Sequence, residues 1–265
     1  MPYFSITYQV KESIAYITLN HPQDGNIISE SLAQELRGVC QKINEDGDIR
    51  VAVFSGAGNK AFCLGNELER HLRNKNTGRN ILVEIEKIPS RYGVASAIAR
   101  LTCPVIAAIN GDALGQGLEL ILSCDIRIAA NVARFGFSPI ALGLMPIDGA
   151  TQRLPRLIGK AKSLEMLLSG ELISAQEAYQ IGLVSKIVPQ SRLASEVDQW
   201  AKKITTKAPI ALRYAKEAIN KGLDLTLEQG LRLEADLYFL IHTTEDRETG
   251  VRAFLEKKPP KFEGK

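Results

Sequence analysis

The period of the apolar residues changes repeatedly along the chain, and each change predicts an element. Phe4 to Tyr8 and Ile14 to Leu19 alternate or cluster as two strands joined across Lys11 to Ser13. Leu32, Leu36, Val39 and Ile43 then recur at helical spacing, which predicts a helix from Glu30 to Asn44 with Ser29 as its N-cap and Gly47 beyond its end. Val51 to Ser55 reads as a short buried strand. This β-β-α-β opening predicts an α/β domain with helices packed on sheets. The C-terminal third is helical instead: Val197 to Ile204, Pro209 to Lys221 and Leu227 to Ile241 carry apolar residues three and four apart. Ser174 to Gln180 precedes them, with Ser174 and Glu177 at capping-box spacing and Gly182 at its end. The run LEQGLRLEADLYFLI is more apolar than a surface helix of a monomer needs, so it is a candidate oligomer face or a lid.

Between these regions lies Pro104 to Asp125, PVIAAINGDALGQGLELILSCD. Val105 to Ile109 has the length and β-branched content of a buried strand. Gly111, Gly115 and Gly117 permit a tight turn with close backbone approach, and Leu118 to Leu122 begins an apolar helix. That order leaves free N–H groups and a positive helix dipole at one point. Glu119 sits in the first helical turn, either facing the dipole as a cap or acting as a functional acid in an apolar cleft. Gly56 to Glu67, GAGNKAFCLGNE, is a second glycine loop directly after a strand. It has neither a P-loop ending nor a dinucleotide fingerprint. Its form repeats that of the stretch around Gly115, and two such turns can aim two N–H groups at one oxygen.

At 265 residues and 45% hydrophobic content, the chain can bury a large core in one main domain with an appendage. The formal charge of +3 is spread along the sequence, which gives no nucleic-acid footprint. Only Lys257, Lys258, Lys261 and Lys265 make a locally basic end, read as solvated. Cys40, Cys63, Cys103 and Cys124 lack metal or CxxC spacing and read as reduced core thiols of a cytoplasmic protein. The N-terminal stretch MPYFSITYQV predicts no secretory signal or membrane span. His71 in LERHLR reads as solvent-facing, and His21 and His242 have no partner visible in sequence.

Several motifs together resemble the crotonase, or enoyl-CoA hydratase/isomerase, superfamily. They are KAFCLGNEL (Lys60 to Leu68), INGDALGQGLELILSCDIRIA (Ile109 to Ala129), GATQRLPRLIG (Gly149 to Gly159), LLSGELISAQEAYQIGLVSKIVP (Leu167 to Pro189) and AFLEKKPPKF near the C-terminus. The resemblance implies a spiral of β-β-α units over residues 1–195 and a C-terminal helical region, 196–265, that builds a homotrimer or a dimer of trimers. It implies acyl-CoA thioester substrates, with CoA as part of the substrate and no other cofactor or metal. On matching positions the oxyanion hole consists of the Asn66 and Gln116 backbone N–H groups. Ala61, Cys63, Leu64, Leu68, Gly115, Pro139 and Leu144 fall at substrate-binding positions. Phe254 and Lys257 match residues that contact CoA, often on a neighbouring subunit.

The resemblance also marks departures. Family hydratases set two Glu residues around one water; the first matches Glu119, while the second belongs to Phe-Gly-x-Pro-Glu. Here the segment reads Phe135, Gly136, Phe137, Ser138, Pro139, which puts Pro139 at the second Glu position. Asp148 stands where the family usually has a small residue, within one residue of a carboxylate found in some isomerases and hydrolases. It is a candidate replacement acid, against the alternative of an Asx-turn or N-cap before the helix at Ala150. The reaction expected is hydration of an enoyl-CoA, with isomerase, decarboxylase, hydrolase or idle CoA-binding scaffold as alternatives. Phe137, Leu144 and Met145 are expected to line an apolar acyl pocket. Lys75 to Arg91 falls where the family varies with substrate and carries no readable code.

Overall fold

A computed structural model of the chain describes residues 3–73 and 93–265, without the side chains of residues 71–73. The segment Lys75 to Arg91 lies outside the described residues. Two strands, β1 (Ile6–Lys11) and β2 (Ile14–Leu19), open the fold as an antiparallel hairpin. Glu12 and Ser13 both take positive φ, 53° and 62°, so the two-residue turn has the twist of its strands without using glycine. The first strand therefore starts two residues later than the alternation predicted. Helix α1 (Glu30–Glu45) follows, and the Ser29 hydroxyl accepts from the Leu32 N–H as its cap. Its Leu32, Leu36, Val39 and Ile43 are buried, as the spacing required.

Next come β3 (Val51–Gly56), β4 (Ala61–Cys63) and α2 (Glu67–Arg73), then α3 (Val94–Ala99), β5 (Val105–Ile109), β6 (Asp112–Leu114) and α4 (Gln116–Leu122). The chain continues through β7 (Ile126–Ala130), β8 (Arg134–Gly136), a 3-10 turn at Ser138–Leu142, α5 (Ala150–Ile158), α6 (Lys160–Ser169), β9 (Ile173–Ser174), α7 (Ala175–Gln180) and β10 (Lys186–Val188). The strands form a six-stranded sheet in the order β1-β2-β3-β5-β7-β10 and a four-stranded sheet in the order β4-β6-β8-β9. Successive pairs β3-β4, β5-β6 and β7-β8 each give one strand to the first sheet and one to the second. That repetition is the spiral. The neighbouring strands β3, β5 and β7 are parallel, and their near-continuous apolar sequences reflect burial on both faces.

The larger core cluster lies between α1, α3, α4 and the sheets, and includes Leu36, Phe54, Phe62, Leu118 and Ile121. A smaller one lies on the other face of the six-stranded sheet, where α8 (Leu193–Thr205) packs Leu193, Val197 and Ala201 against Ile14, Val51 and Ile106. The last helices are α9 (Pro209–Gly222), α10 (Leu227–Ile241) and α11 (Glu245–Leu255). A full capping box, Thr226 with Gln229, starts α10 at the residue the pattern gave. The basic end is not simply solvated: Arg50 Nη2 donates to the Phe262 carbonyl at 2.6 Å, and the Asp246 carboxylate accepts from the Glu263 and Gly264 N–H groups. The tail backbone is thus tied down while its Lys257 side chain remains exposed.

Candidate active site

Strands β4 and β6 are parallel neighbours, so the turns at their C-terminal ends arrive side by side. The three glycines of the second turn act differently. Gly111 runs so close to Lys60 that a Cβ would lie 2.3 Å from its carbonyl oxygen. Gly115 holds φ +54° and ψ −126°, a backbone open to glycine. Gly117 packs the helix start on β4, with space for a Cβ filled by the Cys63 carbonyl at 2.1 Å. In the first turn Gly65 has φ +106°.

The residues that leave these turns are Asn66 and Gln116. Ile28 donates to the Gly65 carbonyl at 2.8 Å and accepts from the Glu67 N–H at 3.3 Å. In such a parallel bridge the residue between, Asn66, directs its own N–H away from Ile28. Gln116 is the first residue of α4, a position whose N–H cannot be met within the helix. The turns therefore present adjacent backbone donors, and both residues are buried.

Glu119 is fully buried one helical turn along α4. It does not cap its own helix: Oε1 accepts from the Asp148 N–H at 2.7 Å and the Ala150 N–H at 3.0 Å, both across on the α5 side. Oε2 is buried and has no hydrogen-bond partner among the described residues. Burial pushes the carboxyl up to about 7, against the opposite pull of the Ala150 and Asp148 N–H groups. An acid poised there, with one oxygen seated and the other unspent, suits proton transfer near neutral pH.

Asp148 is not an N-cap; Gly149 occupies that position of α5. Its Oδ2 accepts from the Ala95 N–H at 2.8 Å and from Gln116 Nε2 at 3.3 Å. Its backbone N–H seats Glu119, so the structure brings Asn66, Gln116, Glu119 and Asp148 together. Of the other expected site residues, Ala61, Cys63 and Gly115 are buried at the turns, and Leu64 and Leu68 beside them are partly buried. Pro139 is buried in the 3-10 turn, which packs against α2. Leu144 is partly buried and Phe137 fully so, whereas Met145 is 63% exposed and does not line an enclosed acyl pocket. Phe254 stands in solvent on α11, 82% exposed. A cavity of about 960 Å³ opens beside Ile147 to Gly149, bounded by Ser96, Arg153 and Lys216. Asp148 lines it whereas Glu119 does not, and its Lys216 is paired with Asp125 at 2.7 Å.

The model of the enoyl-CoA hydratase/isomerase family matches residues 9–265. The chain belongs to that family. It is 37% identical to the (E)-benzylidenesuccinyl-CoA hydratase of Thauera aromatica, covering 98% of this chain and 99% of the relative. It is 34% identical to the crotonyl-CoA hydratase of Syntrophomonas wolfei, with 99% of each chain covered. The crystal structure of an enoyl-CoA hydratase from Bacillus anthracis superposes with a TM-score of 0.93 at 39% identity, covering 99% of this chain and all of that one. As a member of the enoyl-CoA hydratase/isomerase family, the protein is an enzyme of acyl-CoA thioesters. Among the described residues no helix is long and apolar enough to cross a membrane.

In this family member several structural residues escaped the sequence reading. Asn26 Nδ2 donates to the Ala57 and Ala61 carbonyls, and Asn110 Nδ2 donates to those of Gly58 and Ala61, each at 3.0 Å. Together they pin the first glycine loop. Glu69 is also buried, and its carboxylate lies where a Cβ on Gly65 or Gly115 would go. The spacing of Asn66 and Glu69, a cap residue followed by an acid three positions on, was the available signal. The four cysteines are free and buried, with thiols pushed by burial up to about 12 at Cys40, Cys63 and Cys124 and about 11 at Cys103. Such thiols are core, not nucleophiles.

Proposed function

We propose that the protein hydrates an α,β-unsaturated acyl-CoA, or runs the reverse dehydration, through a thioester enolate. The observation that carries this reading is Glu119: one carboxylate oxygen is fixed by two backbone N–H groups, and the other has no hydrogen-bond partner among the described residues. A water held at Oε2 gives up a proton to Glu119 while its oxygen bonds to the β-carbon. The electron pair of the double bond moves onto the thioester oxygen, where the N–H groups of Asn66 and Gln116 stabilise it. One such donor is typically worth about a hundred- to a thousandfold in rate. Pro139 occupies the position that matches the second Glu of family hydratases, so the α-carbon proton comes from Asp148 or a second water. The proton taken up by Glu119 then restores that donor.

In the same reading CoA is held partly by Phe254 and Lys257 of a neighbouring subunit, in a homotrimer or a dimer of trimers. Exposure of Phe254 supports this, because a ring standing in solvent on one chain is available to another. The test is incubation of the purified protein with a panel of enoyl-, dienoyl- and carboxyacyl-CoA thioesters, read by mass spectrometry. Gain of one water on an enoyl-CoA supports hydration. Loss of CO₂ from a carboxyacyl-CoA, or release of free CoA, replaces hydration with decarboxylation or hydrolysis.

A further inference from the structure

We propose that the side chains of Asn66 and Gln116 are positioning residues: they bond to each other across the two glycine turns and set the gap between the backbone donors. This rests on the acyl-CoA reading of the site, which asks only for the main-chain N–H of each residue. Their amides are nonetheless buried and fully directed. Asn66 Nδ2 donates to Gln116 Oε1 at 3.1 Å and to Glu69 Oε1 at 3.2 Å, while Asn66 Oδ1 accepts from the Glu69 N–H at 3.0 Å. Gln116 Nε2 donates in turn to Asp148 Oδ2 at 3.3 Å.

Each amide has one orientation that fits. Turning Asn66 over would set its oxygen against the Glu69 carboxylate and its NH₂ against a backbone N–H; turning Gln116 over would set oxygen against Asp148. The chain of bonds therefore runs Glu69, Asn66, Gln116, Asp148, and the Asp148 N–H continues it to Glu119. Donors and acid share one frame.

The sheet beneath does not supply this spacing. Strands β4 and β6 pair only at Ala61 with Asp112 and Cys63 with Ala113, with a register shift between the pairs, immediately before the turns. Irregular pairing leaves the turn ends free to splay. The Asn66 to Gln116 bond closes them from above. Donors act on an enolate only when held at a set distance from where its charge develops, so the bond acts on the chemical step more than on binding.

The experiment uses Asn66→Ser, Gln116→Ala and the double variant. Ser keeps an oxygen to cap α2 at the Glu69 N–H but is too short to reach Gln116. Neither substitution removes a backbone donor. Turnover and KM are measured with the thioester that the panel identifies. The infrared carbonyl band is measured for bound butyryl-CoA labelled with ¹³C at the thioester carbonyl. Each single variant should lose about tenfold in kcat with KM changed less than about twofold, and the double should lose clearly less than the product of the two, because the bond between Asn66 and Gln116 is already broken in either single. The bound carbonyl band, displaced to lower frequency in the wild type, should return toward the free value in all three.

Wild-type kcat and an unmoved band in the variants, or losses that multiply in the double, would overturn the brace alone. A wild-type protein that neither binds butyryl-CoA nor turns over the panel overturns the acyl-CoA reading and the brace with it. Since either single change breaks the same bond, a variant that fails to fold leaves the other to decide.

Discussion

At the scale of single residues, Glu119 decides how the site responds to pH. Its folded value of about 7 exceeds the ordinary 4.5 because burial disfavours the charged form. As a base toward water it must be ionised, so the hydration rate should rise with pH through about 7. Glu119→Gln should cost about a hundredfold or more in kcat and abolish that limb. Stability runs the other way. The folded state holds the proton more tightly than the unfolded state between about 4.5 and 7, so stability contributed by the neutral acid is full below that window and is lost as pH rises through it. Gln mimics the neutral acid and still accepts from Asp148 and Ala150. Glu119→Gln should therefore match the wild type in stability at pH 4 and exceed it at pH 8 by up to ~3 kcal/mol, read by thermal melting. Equal melting curves at both pH values would place Glu119 in a solvated, ordinary setting. Glu119 was legible from sequence because its neighbours and glycines are local. The bonds of Asn66 to Gln116, and of Gln116 to Asp148, were not, since they join residues 50 and 32 positions apart.

At the scale of elements, strand, glycine turn and helix recur, and sequence exposed that pattern because each part has a local cause. The helical-period runs placed α1 and α10, and the continuous apolar run placed β5, within a residue or so of their observed bounds. The strands of the four-stranded sheet were harder: β4, β6 and β8 are 3 residues each, too short for any period to show, and their pairing is set by the spiral. The glycines test the tertiary part of this account, because sequence alone cannot tell a flexible position from a crowded one. Gly38 lies on the exposed side of α1 with nothing within 4 Å of a Cβ, so Gly38→Ala should stabilise by about 0.5–1 kcal/mol. Gly117 is also helical, yet its Cβ would meet the Cys63 carbonyl at 2.1 Å, a backbone atom that cannot swing aside. Gly117→Ala should cost roughly 1–3 kcal/mol by overpacking and part the two turns. Urea denaturation of the pair reads both signs. A stabilising Gly117→Ala would mean that α4 does not rest on β4 as described.

At the scale of the whole molecule, the C-terminal helices leave large apolar side chains uncovered. Leu227, Leu231, Tyr238 and Phe239 of α10 are exposed, as are Ile219 of α9, Leu223 just beyond its end, and Val251, Phe254 and Leu255 of α11. Such a face is what the trimer proposed above would cover. If Lys257 meets CoA from a neighbouring subunit, reversing its charge acts on binding through an exposed pair. Lys257→Glu should then raise KM strongly at low ionic strength and less at high, because salt screens such pairs. A salt-independent effect would indicate misfolding. Subunit mixing carries the idea further. Glu119→Gln chains lack the acid but keep Lys257; Lys257→Glu chains keep the acid but lack the CoA contact. Co-expressed, they place an intact Glu119 beside an intact Lys257 from the neighbour at some sites of every mixed oligomer. Those sites should combine a low KM with wild-type-like turnover, which neither variant does alone. Were Lys257 to serve its own chain instead, no arrangement would unite the two residues, and the mixture would show only the high KM of the Lys257→Glu chains.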